Sequence, residues 1–416
     1  MRFRGSPNGD MTQPILIAGG GLGGLSLALA LGRQGRRVRV LEQTPELGAI
    51  GYGIQLGPNV FPMFERLGVT AAVLAQSILP RACILFDALT GAELTRIPGE
   101  EALRARFGHP YIVIHRVDLH RVLLDACRAT DGITLEPQTS VGSFTQTGER
   151  VVVTTEDDRA IEGAALIGAD GLRSVVRAQL VGDEPKPIGY VAHRTILPMA
   201  HVPADVQRDI SALWIGPGFH MVHYPLRHGT LFNIVAVFRT GSFGEKSDAA
   251  FHAAEVERTY KTAHPVMRSL LALMDLERRW VIADRDPVRH WSDGRVTVLG
   301  DAAHPALQTF AQGACMAIED AVCLAALIEL SGEDFAGAFQ RYQVARSLRT
   351  ARVQLEGRAL WEGYHAEGIA RDVWLATFSS RDAPATCECL AWLYDGIQLP
   401  PNQPHARGRT EASEAS

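Results

Sequence analysis

The sequence lacks the features of membrane, secreted and nucleic-acid-binding proteins. No run approaches the roughly 18 uninterrupted apolar residues that a membrane helix needs, and residues 1–10 (MRFRGSPNGD) contain no apolar stretch of the secretion-signal type. The net charge is −5, and the arginines are scattered rather than gathered into a stripe that would neutralise a phosphate backbone. We therefore expect a cytoplasmic protein with no integral membrane segment and no nucleic-acid partner.

Cysteine is scarce, with six residues in a chain of 416. A chain of this length does not need covalent crosslinks in order to fold, so we expect free thiols. Cys387 and Cys389 form a C-x-C pair, but no histidine or further cysteine stands near them in the sequence. A metal site normally needs those additional ligands, and the sequence therefore predicts no bound metal.

The length and composition are those of a globular chain with more than one domain. Hydrophobic residues make up 46% and charged residues 21% of the sequence, which is enough apolar surface for buried cores. The length corresponds to about two to three domain-sized units, and a two-domain enzyme fits it. Residues 1–12 and 400–416 are polar, so we expect a flexible leader, with Met11 as a candidate natural start beside Met1, and a flexible tail.

A glycine motif near the start carries the first functional signal. Gly19-x-Gly21-x-x-Gly24 follows the apolar run 14–18 and opens an Ala/Leu-rich stretch, and a second apolar run ends at Glu42. This order predicts a strand, a tight turn, a helix and a parallel strand. Because glycine has no side chain, a pyrophosphate can approach the backbone of this turn and the N-terminus of the helix. A carboxylate at the end of the second strand can accept hydrogen bonds from ribose hydroxyls.

The same motif narrows the choice of dinucleotide. An acidic residue at the position of Glu42 suits a free 2′-hydroxyl, so the sequence favours FAD or NAD over NADP. The alternative is a glycine-rich turn that binds no ligand, and it is weak in this strand-turn-helix context.

Two further carboxylates follow predicted buried strands. Asp170 begins the segment 170–177 (DGLRSVVR), and Asp301 lies in the segment 300–305 (GDAAHP). Ligands of open α/β sheets collect at the carboxyl ends of strands, where both residues stand. Each segment taken alone is equally well explained as a turn capped by an aspartate.

Together with the glycine motif, these two segments resemble the three motifs of the group A flavoprotein aromatic hydroxylases, FAD-dependent monooxygenases that include 4-hydroxybenzoate and salicylate hydroxylases. The resemblance spans about residues 13–396. It implies an α/β fold in which a Rossmann-like FAD-binding domain is interleaved with an antiparallel β-sheet substrate domain and followed by a helical C-terminal region. The implied segments are the leader 1–12, the FAD-binding parts 13–80, 111–185 and 281–340, the substrate-domain parts 81–110 and 186–280, the helical region 341–399 and the tail 400–416.

The residue pattern of the middle and the end of the chain agrees with that division. Residues 141–169 alternate as a β-meander that returns to a buried strand, and residues 190–280 are rich in aromatic and β-branched residues, as in a second, antiparallel sheet. Residues 295–299 form another apolar strand. Helical sequence then runs from Gly313 to about Tyr394.

The resemblance also implies which residues hold FAD. Gly19, Gly21, Gly24 and Glu42 would bind the ADP half of the cofactor, and Asp301 would bind its ribityl chain.

Three other positions complete the implied cofactor set. Arg116 matches the family arginine that reaches the flavin's phosphate and ribityl region, and Asp170 matches the motif that serves both FAD and nicotinamide. Gly313 opens a predicted helix whose N-terminus would stabilise negative charge on the reduced flavin. No second dinucleotide motif follows a strand, because Gly216 and Gly218 are not continued by a third glycine. The nicotinamide cofactor, NADH or NADPH, is therefore expected to bind transiently.

The chemistry implied by the resemblance requires a base beside the substrate. Hydride reduces FAD, O2 then adds to form a flavin C4a-hydroperoxide, and this species transfers OH to an electron-rich ring. A phenol is most reactive in this step when it has lost its proton, so a nearby group must accept that proton.

The segments 219–225 (FHMVHYP) and 305–308 (PALQ) resemble the 3-hydroxybenzoate 6-hydroxylases within this family. The resemblance implies His220 as the base, with Gln308 and Tyr224 orienting the phenol, and conversion of 3-hydroxybenzoate to gentisate. On a strand, His220 and Tyr224 share one face and His223 points away. A lone strand histidine is otherwise more often structural.

Two further residues are candidates for contacting the substrate. Tyr111 stands in the run 109–115, where packing in a sheet core is an equally good explanation. Gln55 lies in a glycine-rich loop that resembles the family's flavin-side segment. Within that loop, Tyr52 stands where relatives usually carry a small residue, which leaves the exact substrate preference open.

Several alternatives remain open from the sequence. The acid can instead be salicylate, 4-hydroxybenzoate or a hydroxynicotinate, and a flavin-dependent reductase or a flavin-binding sensor can use the same fold. A halogenase is disfavoured because its Trp-x-Trp-x-Ile-Pro signature is missing. The helical segment 374–394 is a candidate homodimer interface or a cap on the FAD-binding domain.

Overall fold

The architecture comes from a computed structural model, which describes residues 13–46, 51–241 and 249–399; the predicted leader and tail lie outside these residues. The strands, in chain order, are β1 (Ile15–Ala18), β2 (Val38–Leu41), β3 (Gly53–Leu56), β4 (Ser77–Ile78), β5 (Ala82–Asp87), β6 (Glu93–Pro98), β7 (Ile112–His115), β8 (Ile133–Glu136), β9 (Val141–Gln146), β10 (Val151–Thr155), β11 (Ala160–Gly163), β12 (Ala165–Gly168), β13 (Lys186–Pro198), β14 (Ser211–Gly216), β15 (Phe219–Leu226), β16 (Leu231–Arg239), β17 (Trp280–Asp284), β18 (Ser292–Asp293) and β19 (Val296–Val298).

The helices surround these strands and form the end of the described chain. In chain order they are α1 (Leu22–Arg33), α2 (Phe61–Leu67), α3 (Thr70–Ala75), α4 (Glu100–Phe107), α5 (Arg116–Arg128), α6 (Val175–Leu180), α7 (Ala249–Tyr260), α8 (Pro265–Leu271), α9 (Gly313–Ser331), α10 (Phe335–Tyr364), α11 (Gly368–Ser379), α12 (Ala383–Cys389) and α13 (Ala391–Tyr394).

A parallel sheet with the strand order β18-β19-β12-β1-β2-β8 forms the first layer, and only its β18–β19 pair is antiparallel. Strands β1, β12 and β19 are buried along their whole length, as expected for parallel strands with both faces covered. The chain passes from β1 to β2 on one side, while β12 and β19 lie on the other. The strand order therefore reverses beside β1, and such a switch point is where ligands of open α/β sheets bind.

The helix that follows β1 starts earlier than the sequence pattern suggested. The Ala/Leu-rich stretch begins at Leu25, but α1 begins at Leu22, inside the glycine motif, with Gly21 as an extended N-cap that provides no side-chain hydrogen bond. This start places the first helical N–H groups at the carboxyl end of β1. Helix α1 packs against α9, whose start at Gly313 is the predicted one.

The segment 141–169 has the predicted strand order. Strands β9, β10 and β11 form an antiparallel three-stranded sheet, and the chain then returns to the parallel sheet as β12. This return brings Asp170 to the edge of the sheet where the glycine turn lies.

A second, seven-stranded sheet has the order β17-β13-β16-β15-β14-β5-β6. Its pairs are antiparallel as predicted, except that β5 and β14 pair in parallel. The exception arises because β5 comes from an earlier part of the chain and is not joined to β14 by a hairpin. Helices α7 and α8 cover one face, where Tyr260 and Met267 join a core with Phe232 and Phe238 of β16. The other face is directed toward the first sheet.

The helices α10 to α13 complete the described chain, as the helical pattern up to Tyr394 predicted. All six cysteines are free thiols. Across residues 13–46, 51–241 and 249–399, no helix has the length and apolarity to cross a bilayer, and no cluster of histidine, cysteine or carboxylate side chains is arranged to hold a metal ion.

Candidate functional site

The glycine turn after β1 is packed so tightly that side chains are excluded at two of its three motif positions. Gly19 has φ of +105°, and a Cβ there would lie 2.4 Å from the carbonyl oxygen of Ala169. A Cβ on Gly24 would lie 2.0 Å from the oxygen of Gly19. Gly21 is different, because a Cβ at this position would meet no atom within 4 Å. Its missing side chain therefore serves no packing role and leaves space at the N-terminus of α1.

Glu42 joins the end of β2 to this turn. Its Oε2 accepts a hydrogen bond of 2.7 Å from the Gly20 amide, and its Oε1 accepts from the Thr44 amide at 2.9 Å. His120 of α5 contacts the Gly20 carbonyl oxygen at 2.8 Å. These contacts hold the turn against β2 and α5, with the half-buried Glu42 carboxylate beside it.

Asp170 caps the turn after β12. Its Oδ2 accepts from the backbone amides of Val175 and Val176, at 2.9 and 3.3 Å, near the start of α6. Its Oδ1 is buried and has no hydrogen-bond partner among the described residues. Burial raises the pKa of this carboxyl, against the lowering effect of its hydrogen bonds. The capping contact that the sequence left open is therefore present, and one oxygen remains unsatisfied.

A cavity of about 1170 Å³ lies between the two sheets and holds most of the predicted site residues. Its walls include four predicted cofactor residues and all five predicted substrate residues: Gly21, Arg116, Asp301, Gly313, Gln55, Tyr111, His220, Tyr224 and Gln308. The other predicted positions, Gly19, Gly24, Glu42 and Asp170, do not line the cavity and support the turns beside it.

Two helix starts and one loop place Arg116, Asp301 and Gly313 on the cavity wall. Arg116 is the first residue of α5, whose N-cap is the His115 side chain. Asp301 follows β19, and its Oδ1 lies 3.7 Å from the position of a Cβ on Gly313. Gly313 opens the 19-residue helix α9, so unpaired N–H groups stand at this wall.

A buried ion network holds the segment that carries Asp301. Asp320 of α9 accepts from the Gly300 amide at 2.9 Å, contacts His304, and pairs with Arg346 of α10 at 2.6 Å. Burial alone would raise the pKa of Asp320, but the charges of His304 and Arg346 bring it below its ordinary value. Arg346 also pairs with Glu319 at 2.7 Å. Through these contacts, the ion network holds the loop between β19 and α9 in place.

One face of β15 forms part of the cavity wall. His220, Val222 and Tyr224 line the cavity, as the alternation of the strand predicted. His223 lies on the opposite face, where its Nε2 accepts from the Trp214 indole at 3.0 Å. Burial raises the pKa of the Tyr224 hydroxyl, although Arg194 lowers it. Tyr224 therefore stays protonated and remains a hydrogen-bond donor near neutral pH.

Tyr111 and Gln55 form a pair on the wall beside Tyr224. The Tyr111 hydroxyl donates to Oε1 of Gln55, and burial raises the pKa of Tyr111 well above its ordinary value. Tyr111 also belongs to the hydrophobic core that contains the parallel sheet. It therefore both packs in that core and lines the cavity. Tyr52 lines the cavity too, with its ring edge-to-face against Trp280 at 5.2 Å between centroids.

A half-buried arginine that the sequence did not single out also lines this cavity. Arg194 of β13 lines the wall, and its Nη2 donates to Oε1 of Gln308 at 3.0 Å. No carboxylate pairs with this guanidinium among the residues that the structure describes, and burial lowers its pKa. The sequence signal for Arg194 is its charge on a strand face that it shares with Tyr190 and Ala192. Both of these residues are buried.

His220 has a partner, His365, that the sequence did not indicate. The Nδ1 atom of His220 lies 2.8 Å from Nε2 of His365, which follows the last residue of α10. His220 is buried, and burial followed by the effect of His365 lowers its pKa well below 6.5. The imidazole is therefore neutral near pH 7.

Known proteins resemble this chain in sequence and in fold. The family model described as "FAD binding domain" matches residues 12–354. The 3-hydroxybenzoate 6-hydroxylase of Polaromonas naphthalenivorans is 42% identical over 381 residues, which are 92% of this chain and 95% of that protein. The 3-hydroxybenzoate 6-hydroxylase 1 of Aquipseudomonas alcaligenes is 40% identical over 387 residues, 92% and 98% of the two chains. The crystal structure of Klebsiella pneumoniae HpxO complexed with FAD and uric acid has a TM-score of 0.79 and 25% identity, covering 92% of this chain and 97% of that one.

Proposed function

Because this chain belongs to the FAD-binding family of flavoprotein aromatic hydroxylases, we propose that it hydroxylates 3-hydroxybenzoate to gentisate with NADH or NADPH and O2. The observation that carries the proposal is the shared cavity. Gly21, Asp301 and Gly313 line the same cavity as His220 and Gln308. A cofactor and an aromatic substrate can therefore meet within a single cavity.

The residues present fit FAD. Gly21 leaves open space beside the N-terminus of α1, which accepts a pyrophosphate, and the unsatisfied Oδ1 of Asp170 lies near the same edge. We propose that Gly19, Gly21, Gly24 and Glu42 hold the ADP half of the cofactor. When bound, FAD accepts hydride from the nicotinamide cofactor and activates O2 for transfer of one oxygen atom to the ring.

The remaining cofactor contacts are proposed on the cavity wall and in the turn beside it. Asp301 binds the ribityl chain, Arg116 reaches the phosphate and ribityl region, and Asp170 serves both FAD and nicotinamide. The N-terminus of α9 at Gly313 stabilises negative charge on the flavin ring, because its free N–H groups and dipole end face the cavity wall.

His220 is the proposed base for the substrate phenol. A neutral imidazole accepts a proton, and burial keeps His220 neutral at physiological pH. The phenol O–H bond breaks as an N–H bond forms on Nε2, which leaves the ring electron-rich for oxygen transfer. Gln308 and Tyr224 donate hydrogen bonds that orient the phenol oxygen; the Gln308 Nε2 group is buried without a partner among the described residues.

Arg194 is the proposed partner of the substrate carboxylate. Partial burial of a guanidinium costs free energy unless an anion compensates its charge, and an aromatic acid supplies that anion. Tyr111 and Gln55 form the adjoining wall and are proposed to contact the ring or the carboxylate. We also propose the interleaved domain division that the sequence predicted. In this division one sheet belongs to the FAD-binding domain and the other to the substrate domain, and the cavity lies between them.

Self-association as a homodimer is a further part of the proposal. Val344, Leu348 and Leu355 of α10 and Ile369 and Val373 of α11 are exposed apolar side chains, with Val344 and Leu348 each 74% exposed. A second copy of the chain would cover such a surface. Sedimentation velocity of the FAD-loaded protein measures the state directly, and a monomer at micromolar concentration would contradict it.

The proposed function is tested with purified FAD-loaded protein and a panel of acids. We expect 3-hydroxybenzoate, supplied with NADH or NADPH, to accelerate cofactor oxidation and O2 uptake and to yield gentisate. Salicylate, 4-hydroxybenzoate and 6-hydroxynicotinate are the competing acids, and benzoate is the control that lacks a phenol. Turnover of a competing acid but not of 3-hydroxybenzoate would contradict the substrate assignment, and the lack of any substrate-linked O2 uptake would favour a reductase or a sensor.

A further inference from the structure

The contact between His220 and His365 is part of a chain of hydrogen bonds that ends on a helix carbonyl. His365 Nδ1 lies 2.7 Å from the backbone oxygen of Trp361, and His365 Nε2 lies 2.8 Å from His220 Nδ1. Trp361 belongs to the last turn of α10, and its carbonyl oxygen also accepts from the backbone amide of His365 at 3.3 Å. The His365 side chain therefore makes a second hydrogen bond to the same oxygen.

The direction of each hydrogen bond follows from which atoms carry protons. A carbonyl oxygen only accepts, so the proton of neutral His365 must be on Nδ1, and its Nε2 carries a lone pair. His220 Nδ1 must then be the donor of the bond between the rings. Both rings are neutral, because burial lowers the pKa of His365 to about 3 and lowers that of His220 well below its ordinary value. The Nε2 atom of His220 is thus left unprotonated.

We infer that His365 is a positioning residue, which fixes His220 in the Nδ1–H form so that the lone pair of Nε2 is available to the substrate. The inference rests on the proposed role of His220 as the base. His365 itself does not line the cavity and so has no direct contact with a ligand there. Its effect is transmitted through one hydrogen bond, as in other sites where a second group sets the tautomer of a histidine.

The backbone around the two rings is held in the same arrangement. The amide of Gly218, in the turn that precedes β15, donates to the His365 carbonyl oxygen at 3.1 Å. The Tyr260 hydroxyl donates to the carbonyl oxygens of Val237 and His220, at 2.9 and 3.3 Å. Trp361 packs edge-to-face on the His220 ring at 5.3 Å between centroids. The end of α10 and the start of β15 are therefore fixed relative to each other.

The same geometry defines what His365 does during proton transfer. When His220 accepts the phenol proton on Nε2, it becomes an imidazolium with protons on both nitrogens, and the substrate becomes a phenolate. The Nδ1–H group continues to donate to the neutral His365 Nε2, which stabilises the new positive charge. The proton is not passed on beyond His365. The Nδ1–H group of His365 is hydrogen-bonded to the Trp361 carbonyl oxygen, which does not take up a proton.

The tautomer of His220 is measured first, in FAD-loaded protein labelled with ¹⁵N-histidine. Long-range ¹H–¹⁵N correlation spectra distinguish Nδ1–H from Nε2–H imidazoles, and His220→Gln assigns the signals of His220. We expect the Nδ1–H form in the unchanged protein and its loss in His365→Phe, which has no acceptor. An Nε2–H form in the unchanged protein, or the same tautomer in His365→Phe, would overturn the inference.

Turnover of 3-hydroxybenzoate is the second readout. We expect kcat of His365→Phe to fall roughly 10- to 100-fold with little change in KM, and His365→Gln, which keeps an acceptor, to recover part of the loss. His223→Gln is the control for disturbing a buried histidine of the same sheet, and FAD absorbance verifies that each variant is folded. An unchanged kcat in folded His365→Phe would contradict the inference. If the unchanged protein does not hydroxylate any phenolic acid, the proposed function fails, whereas the NMR spectra still decide the tautomer.

Discussion

The guanidinium of Arg194 donates to the amide oxygen of Gln308 at 3.0 Å, and this contact determines which atoms of Gln308 remain for a ligand. Since arginine only donates, it must bond to Oε1, and the amide nitrogen Nε2 is left buried without a partner among the described residues. A charged donor and a neutral donor thus stand side by side in the cavity. This pair is complementary to a ligand that carries both an anionic group and a hydroxyl.

Replacing Arg194 tests the assignment of the substrate carboxylate. We expect Arg194→Met to raise KM for 3-hydroxybenzoate about 10- to 100-fold, which corresponds to the loss of about 1.5–3 kcal/mol from a charged hydrogen bond. Steady-state kinetics of the FAD-loaded protein measure this change. The exposed Arg81, which pairs with Asp209, provides the control variant Arg81→Met.

The same variant distinguishes a carboxylate contact from a general loss of structure. With 3-hydroxybenzamide, which has no negative charge, Arg194→Met and the unchanged protein should have similar KM values. An equal loss with the acid and the amide would mean that Arg194 acts on something other than the carboxylate.

The pH dependence of turnover tests His220 as the base. The pKa of His220 is lowered by burial from 6.5, so the imidazole is already a competent base at pH 6.5 and loses that ability only as the pH falls further. We therefore expect kcat to be flat from about pH 6.5 to 8.5 and to fall on the acid side. A midpoint between pH 7 and 8 in the kcat profile would be inconsistent with this account.

His220→Gln removes the base and keeps a polar side chain of similar length. We expect kcat to fall about 100- to 10,000-fold, the usual range for loss of a general base. The residual rate should increase with pH toward the ordinary pKa of a phenol, about 10, because the substrate must then ionise on its own. Turnover equal to that of the unchanged protein would exclude His220 from proton transfer.

Gly21 offers a test of the cofactor site that leaves the fold intact. A Cβ at this position meets no protein atom within 4 Å, so Gly21→Ala should fold normally while its methyl group crowds the pyrophosphate. We expect weaker FAD binding by titration calorimetry, with little change in the thermal unfolding of the FAD-free protein. Gly148→Ala is the matched control, since a Cβ there is equally free of contacts. Unaltered FAD affinity in Gly21→Ala would contradict the proposed position of the pyrophosphate.

The buried network of Arg346 makes a prediction about stability. Arg346→Met removes a cation that pairs with Glu319 and Asp320 in the interior, and both carboxylates stay buried. We expect the free energy of unfolding to fall by roughly 3 kcal/mol, the lower end for a broken buried pair, because Arg349 and His304 still compensate the charges.

Urea unfolding at one saturating FAD concentration measures this loss, since the bound ligand contributes to stability in both proteins. The exposed pair of Arg104 and Glu100 provides the control, and Arg104→Met should change the free energy by less than about 0.5 kcal/mol. Equal effects of the two substitutions would show that burial of the ion pair has no special consequence.

Much of the fold and part of the site could be predicted from local sequence. The glycine motif, the strand alternation that places His220 and Tyr224 on one face, and the start of α9 at Gly313 each depend on a short segment, and the structure has them as predicted. The parallel pairing of β5 with β14 could not be predicted, because it joins distant parts of the chain.

The missed residues are those whose role depends on long-range contacts. His365 is 145 positions from His220, and nothing in the sequence between them indicates that α10 ends beside β15. Arg194 appears in a strand of mixed composition, where its burial becomes evident only once β13 pairs with β16. The three predicted cofactor motifs and the individual roles assigned to their residues remain predictions until the variants above are measured.

The proposed reaction transfers one oxygen atom of O2, activated by FAD bound in the cavity, to the ring of a phenol held by His220. Mass spectrometry of the product formed under ¹⁸O2 from 3-hydroxybenzoate and NADH or NADPH tests it most directly. We expect gentisate that contains one ¹⁸O atom, at the carbon para to the original hydroxyl. Unlabelled product, label at another ring position, or cofactor oxidation without any hydroxylated product would contradict it.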